Sequence, residues 1–327
     1  MNKRAAVYVI VATFFIAVMA IVFLILAEPP RGSFTSSSER VLTMDKFLTD
    51  FESDIDRATY IAAFRSMLAM EEYVSQNGVY FTNLSAPFQE AFVQGTINGT
   101  ESQILLNSTI EDYALRTEQI AGQVGITLAI NVTKVVLVQD DPWNVRVNLS
   151  FTVNVSDARG TASWNYNFTR STLVPITDLR DPIYSVSTLG KVQNQVKAAN
   201  ITLFVNDTGN RNDTSALQSF INLSLYRAST RAPSFLMRFT GNLSASPYGI
   251  ESIVNIPRLS SQDIIINSSL STIDYLYFGG GTPSNQSAVA TACTIQNLVY
   301  VPDWFRLDAA HLPDYNITGA LSYSACP

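Results

Sequence analysis

The sequence is poor in the residues that usually carry chemistry. Its 327 residues include one histidine, His311, and two cysteines, Cys293 and Cys326. One histidine excludes an H-E-x-x-H zinc site, and two cysteines alone cannot build a thiolate metal cluster. G-x-S-x-G is absent, and Gly279, Gly280 and Gly281 lack the context of a phosphate-binding loop. Charge is scarce too. Asp, Glu, Lys and Arg make up 15% of the chain, well under the quarter usual for soluble domains. The 21 Lys and Arg are scattered rather than clustered and the net charge is -6, which argues against nucleic acid as a partner. No catalytic set, cofactor or metal is expected, and the chain reads as a non-enzyme.

One long apolar run stands out. Residues 5–27 (AAVYVIVATFFIAVMAIVFLILA) contain no charge, and as a helix would extend roughly 34 Å against a hydrocarbon core of about 30 Å. The run is longer than an ordinary signal-peptide core, and Ile25 is a poor residue three positions before a cleavage site. A retained span through the lipid bilayer is therefore expected, with residues 1–4 as a cytoplasmic tail. Lys3 and Arg4 precede the run and Glu28 follows it, so the positive-inside rule puts residues 28–327 outside the cell. In that oxidising setting Cys293 and Cys326 are expected to form a disulfide, which would pin the C-terminal tail.

The signal N-x-[ST] occurs fifteen times, at Asn83, Asn98, Asn107, Asn131, Asn148, Asn154, Asn167, Asn200, Asn206, Asn212, Asn222, Asn242, Asn267, Asn285 and Asn316. Roughly five would arise by chance at this content of Asn, Ser and Thr, and the excess predicts a glycosylated exterior. In WNVRVNLSFTVNVS (143–156) every odd residue is apolar and every even one polar. Side chains alternate across a strand, so Asn148 and Asn154 belong to a wet face opposite a core face. The runs 126–133 and 162–169 repeat the pattern, with Asn131 and Asn167 again on the polar side. Three such strands predict an antiparallel meander with one sugar-bearing face.

Around the meander the fold class reads as α+β. A linker (28–38) precedes a long amphipathic helix over about 39–76, free of sequons. Its stripe is Met44, Leu48, Phe51, Ile55, Ala58, Ala62 and Leu68, and Arg40, Asp45, Asp50, Asp54, Arg57, Glu71 and Glu72 are assigned to its opposite face. Ser85 is expected to cap a helix over 86–94, and Ser108 with Glu111 to box one from 109 to about 124. Residues 39–178 form the α+β lobe in this reading. Residues 179–327 form a β-rich second lobe with a helix over 214–228 and strands at 234–240, 249–256, 273–278 and 297–302.

Three clusters merit a chemical reading. Asp303, Asp308, His311 and Asp314 would form a metal or acid/base group, but read more simply as the exposed rim of a short helix. Asp207, Gly209, Asn210, Asn212 and Asp213 fail calcium-loop spacing and fit a surface loop. Asp140, Asp141 and Pro142 fit a hairpin turn.

The run Lys3, Arg4, Ala5, Ala6, Val7 before an apolar helix resembles the class III signal of archaeal type IV pilins and archaellins, which implies cleavage after Ala5. The phrases APSFLMRFTGN, SPYGIESIVNIP and TIDYLYF resemble parts of uncharacterised archaeal membrane-anchored surface proteins, a family without a known activity. The pilin pattern is broken by Ile10, where glutamate is usual, and by Pro29 and Pro30. The resulting expectation is a membrane-anchored, N-glycosylated surface protein with a structural or adhesive role, its partners being other surface proteins or copies of itself. The alternatives are a pilin-like filament subunit and a ligand-binding receptor lobe.

Overall fold

The computed structural model describes residues 36–160, 162–207, 212–280, 293–294, 298 and 300–317. The apolar run 5–27, Asn285 and Cys326, and with Cys326 the expected disulfide, lie outside these residues. Among the described residues no helix is long and apolar enough to cross a membrane. The fold is α+β, combining helices with antiparallel sheet.

Helix α1 (Ser36–Asn77) runs for 42 residues, about 63 Å. It stops at Gly78, whose φ of +63° suits glycine and whose N–H caps Val74 O at 2.9 Å. The first half of α1 is one-sided, burying Met44, Phe51 and Ile55. From Ala62 onward the helix is covered on two sides, because residues 182–187 pack against it as well. That corrects the place of Glu71. It is 2% exposed rather than on a wet face, and burial raises its pKa well above the usual carboxylate value. Arg40 is also engaged, pairing with buried Asp157 at 3.0 Å and pinning the start of α1 to the sheet.

Helices α2 (Ser85–Gln94) and α3 (Ile110–Gln123) form where the spacing put them, with shifted caps. Leu84, not Ser85, is the N-cap of α2, and the Ser85 N–H donates to Asn83 Oδ1 at 2.8 Å. In α3 the capping box is Thr109 with Asp112, not Ser108 with Glu111. The Ser108 hydroxyl donates instead to Leu105 O at 2.9 Å, so it is not free to cap.

The meander comprises β1 (Ile126–Val138), β2 (Asn144–Asp157) and β3 (Ser163–Pro175), in the order β1-β2-β3. Val145, Val147, Leu149, Phe151, Val153 and Val155 are all at most 2% exposed, facing α1, α2 and α3. Burying six such side chains contributes on the order of 10 kcal/mol. Strand β1 runs beyond the expected end at 133 because of a bulge between Val132 and Lys134. The extra residue moves core positions from even (Ile130, Val132) to odd (Val135, Leu137), so pairing continues although the strict alternation of the sequence breaks. Asp140, Asp141 and Pro142 connect β1 to β2, and Asp141 Oδ1 accepts from the N–H groups of Trp143 and Asn144.

The second half corrects the β-rich expectation. Among the described residues its strands are two or three residues long, and its helices, apart from 182–187 and 215–222, are single turns. Residues 235–238 and 274–278 are helical rather than extended, Ile250–Ser252 alone of 249–256 is strand, and none of the described residues of 297–302 is. Short apolar runs such as YLYF fit a buried helical turn as well as a strand, and tertiary partners decide. Helix 215–222 forms, shorter than the expected 214–228. Val196, Tyr226, Phe235, Phe239 and Ile250 join the same apolar cluster as the meander and α1.

Candidate functional site

The second half is organised around a cation. Arg238 is fully buried, and its Nη1 lies 2.5 Å from Asp181 Oδ2 and 2.9 Å from Asp274 Oδ2, while Nη2 donates to Ile250 O. Each partner is anchored in turn. Asp181 caps the helix 182–187 through the Ile183 N–H and accepts from Tyr226 OH at 2.8 Å. Asp274 accepts from both the N–H and hydroxyl of Ser252. Tyr184 OH shares a hydrogen bond with Ser252 Oγ at 3.0 Å, and Asn194 Nδ2 donates to Tyr226 OH. One guanidinium thus ties four segments that have no long strand to join them. Burial raises Asp274 to about 6, against the pull of Arg238 and helped by the neighbouring charge of Asp181.

A second node adjoins it through the sequence step from Ser252 to Glu251. Glu251, fully buried, lies 3.6 Å from Arg227 and 3.6 Å from His311 Nε2, and accepts from Tyr315 OH at 3.2 Å. His311 Nδ1 lies 2.7 Å from Asp308 Oδ2, and Tyr275 OH is 3.1 Å from Nε2. Burial pulls the His311 pKa down, but the hydrogen bonds to Asp308 and Glu251 outweigh it and hold it at about 9. His311 is therefore an imidazolium at neutral pH, and those bonds hold both carboxyls below their ordinary values despite burial.

This arrangement corrects the exposed-rim reading. His311 is 3% and Asp308 5% exposed; of the four residues grouped there, only Asp303 is exposed, and Asp314 is half-buried beside Arg231. Glu251, His311 and Asp314 each offer a ligand atom within 4.8 Å of the others. Arg227 and Arg231 already stand against two of those carboxylates, so the set is neutralised as an ionic network and fits a metal poorly. The Asp308–His311–Tyr275 chain is joined by hydrogen bonds, and His311 is buried between the carboxylates of Asp308 and Glu251. Its chemistry is that of a clamp.

The residues missed in the sequence had left a trace. Arg238 sits in APSFLMRFTGN, Glu251 and Ser252 in SPYGIESIVNIP, and Asp274 in TIDYLYF, each charge almost alone in an apolar stretch. The three phrases supply Arg238, one of its two carboxylates and the Glu251 carboxylate of the second node. Gly249, in the second phrase, is required by close approach: a Cβ there would meet Ala232 O at 2.1 Å.

The sequon asparagines lie elsewhere. Among the thirteen whose side chains are described, ten are exposed and three, Asn148, Asn154 and Asn316, are half-buried. On the wet face of the meander Thr152 Oγ1 donates to Asn167 Oδ1 at 2.6 Å, which leaves the Asn167 Nδ2 free. Asn316 differs, its Oδ1 accepting from the Phe204 N–H at 2.9 Å. By contrast Asn194, which is not in a sequon, is 4% exposed.

Fold and network together define an α+β protein with a charge-clamped second half. The chain matches no protein-family model, no curated protein and no solved structure.

Proposed function

We propose that the chain is a single-span, membrane-anchored, N-glycosylated extracytoplasmic protein with a structural or adhesive role on an archaeal cell surface. The observation that carries this reading is the face of the meander bearing Asn131, Asn148, Asn154 and Asn167, opposite the helices and open to water. Asn148 and Asn154 are six residues apart on one strand, about 20 Å, which leaves room for two sugars. The apolar run 5–27 supplies the anchor, and Lys3 and Arg4 its orientation. A disulfide between Cys293 and Cys326 belongs to the same reading.

A non-enzymatic role accords with the polar centre of the molecule, which is spent on holding segments together. A docked helix favours an anchored protein over a filament subunit. From Ala62 to Val74 the α1 surface is covered on two sides by its own chain, whereas a filament core needs that helix for its copies. Protease added to intact cells should remove nearly all of the chain beyond residue 28. Full protection would contradict the topology, and Ala6 as the mature N-terminus in sheared fibres would favour the pilin alternative.

A further inference from the structure

Seven of the thirteen described arginines have a carboxylate partner. Arg40, Arg57, Arg146, Arg170, Arg227, Arg231 and Arg238 each lie within 4 Å of one. Four cations without such a partner line one groove of 620 Å³: Arg180, Lys191, Lys197 and Arg258. None of them has a described carboxylate within 4 Å, and no acidic side chain lines the groove. Two of the heads are held by backbone carbonyls, Arg258 Nη2 donating to Gln193 O at 2.7 Å and Lys191 Nζ to Gln262 O at 3.3 Å. Those bonds position charge without cancelling it. Glu71, within the field of Arg180, is buried, and that burial favours its neutral form. Scattered along the sequence, the four cations showed no stripe, and only the fold brings them together.

We propose that this groove binds an oligosaccharide carrying carboxylate or sulfate groups. The cations supply charge-assisted hydrogen bonds to the anionic groups. Gln193 and Gln195 each present an amide that both donates and accepts, as rows of hydroxyls require. Leu223, 61% exposed, offers an apolar surface to a sugar ring. The assignment goes beyond the anchored-glycoprotein reading and does not depend on it.

The test uses the full chain in non-ionic detergent, made without glycosylation so that Asn222 is bare. Calorimetric titration would compare an oligogalacturonate and a sulfated hexasaccharide with a neutral hexasaccharide, inorganic phosphate and a short single-stranded oligonucleotide. One saturable site for an acidic saccharide is expected, weakened about tenfold or more by Lys191→Gln with Lys197→Gln. Lys46→Gln, exposed on α1 away from the groove, should leave it unchanged. Both lysines of the double variant are exposed, and unfolding curves would verify that it folds. Absence of binding, equal weakening by Lys46→Gln, or equal affinity for the neutral sugar, phosphate or oligonucleotide would overturn the proposal.

Discussion

The two halves of this molecule are held together by different physics. In residues 36–176 a sheet of 13- and 14-residue strands presents a continuous apolar face to α1, α2 and α3, and the buried carboxylates there are Glu71 and Asp157. Beyond residue 177 the strands shrink to two or three residues, and buried charges take over the joining: Arg238 with Asp181 and Asp274, and His311 with Asp308 and Glu251. The first design depends on area and tolerates local change. The second depends on matched charges, where removing one partner strands the others in a low dielectric.

The largest effect should come from breaking the charge clamp. Arg238→Ala leaves Asp181 and Asp274 buried without a cation, and chemical denaturation should report a loss of about 3–5 kcal/mol. Arg57→Ala, which breaks an exposed pair with Asp54, should cost about 0.5 kcal/mol or less. Equal losses would erase the contrast between buried and surface ions.

The sheet offers its own paired test. Val153 is fully buried and its neighbour Asn154 half-exposed. Val153→Asp should destabilise by about 3 kcal/mol or more, and Asn154→Asp by a few tenths, because only the first buries a charge. Similar tolerance of the two would refute the facing of the strand.

A smaller effect follows from pH. The folded pKa of His311, about 9, lies above the ordinary 6.5, so its contribution is complete below pH 6.5 and is lost as pH rises through 9. Denaturation midpoints should fall over that window, by on the order of 2–3 kcal/mol in all. His311→Asn should be less stable at pH 7 and nearly flat from pH 7 to 10; an unchanged slope in that variant would assign the alkaline loss to another group.

These contrasts also explain what the sequence could be read for. Period-2 alternation placed β2 and its facing, and helical spacing placed α1 and α3. Both are local patterns, imposed by a single flat or cylindrical surface. Errors began where one residue changes the rule. The bulge at Val132/Lys134 reset the parity of β1, and the side chain of Ser108, turned to Leu105 O, moved the capping box by one. Glu71 was placed outside because its helix was given a single covered side, and the second cover comes from more than 100 residues away. The network itself joins residues 181, 238, 252 and 274, a separation that no periodicity encodes. Its signature was a charge alone in an apolar phrase, as in SFLMRF, GIESIV and TIDYLYF. The basic groove left no such mark, since its cations are spread from 180 to 258.

The extracytoplasmic assignment turns on whether the polar face of the meander carries sugar. Site-resolved glycopeptide mass spectrometry of protein recovered from its native membranes measures this directly. Sugar on Asn148, Asn154 and Asn167, with Asn316 the least occupied of the described sites, is the predicted result. Bare asparagines at all three strand positions would contradict the extracytoplasmic assignment.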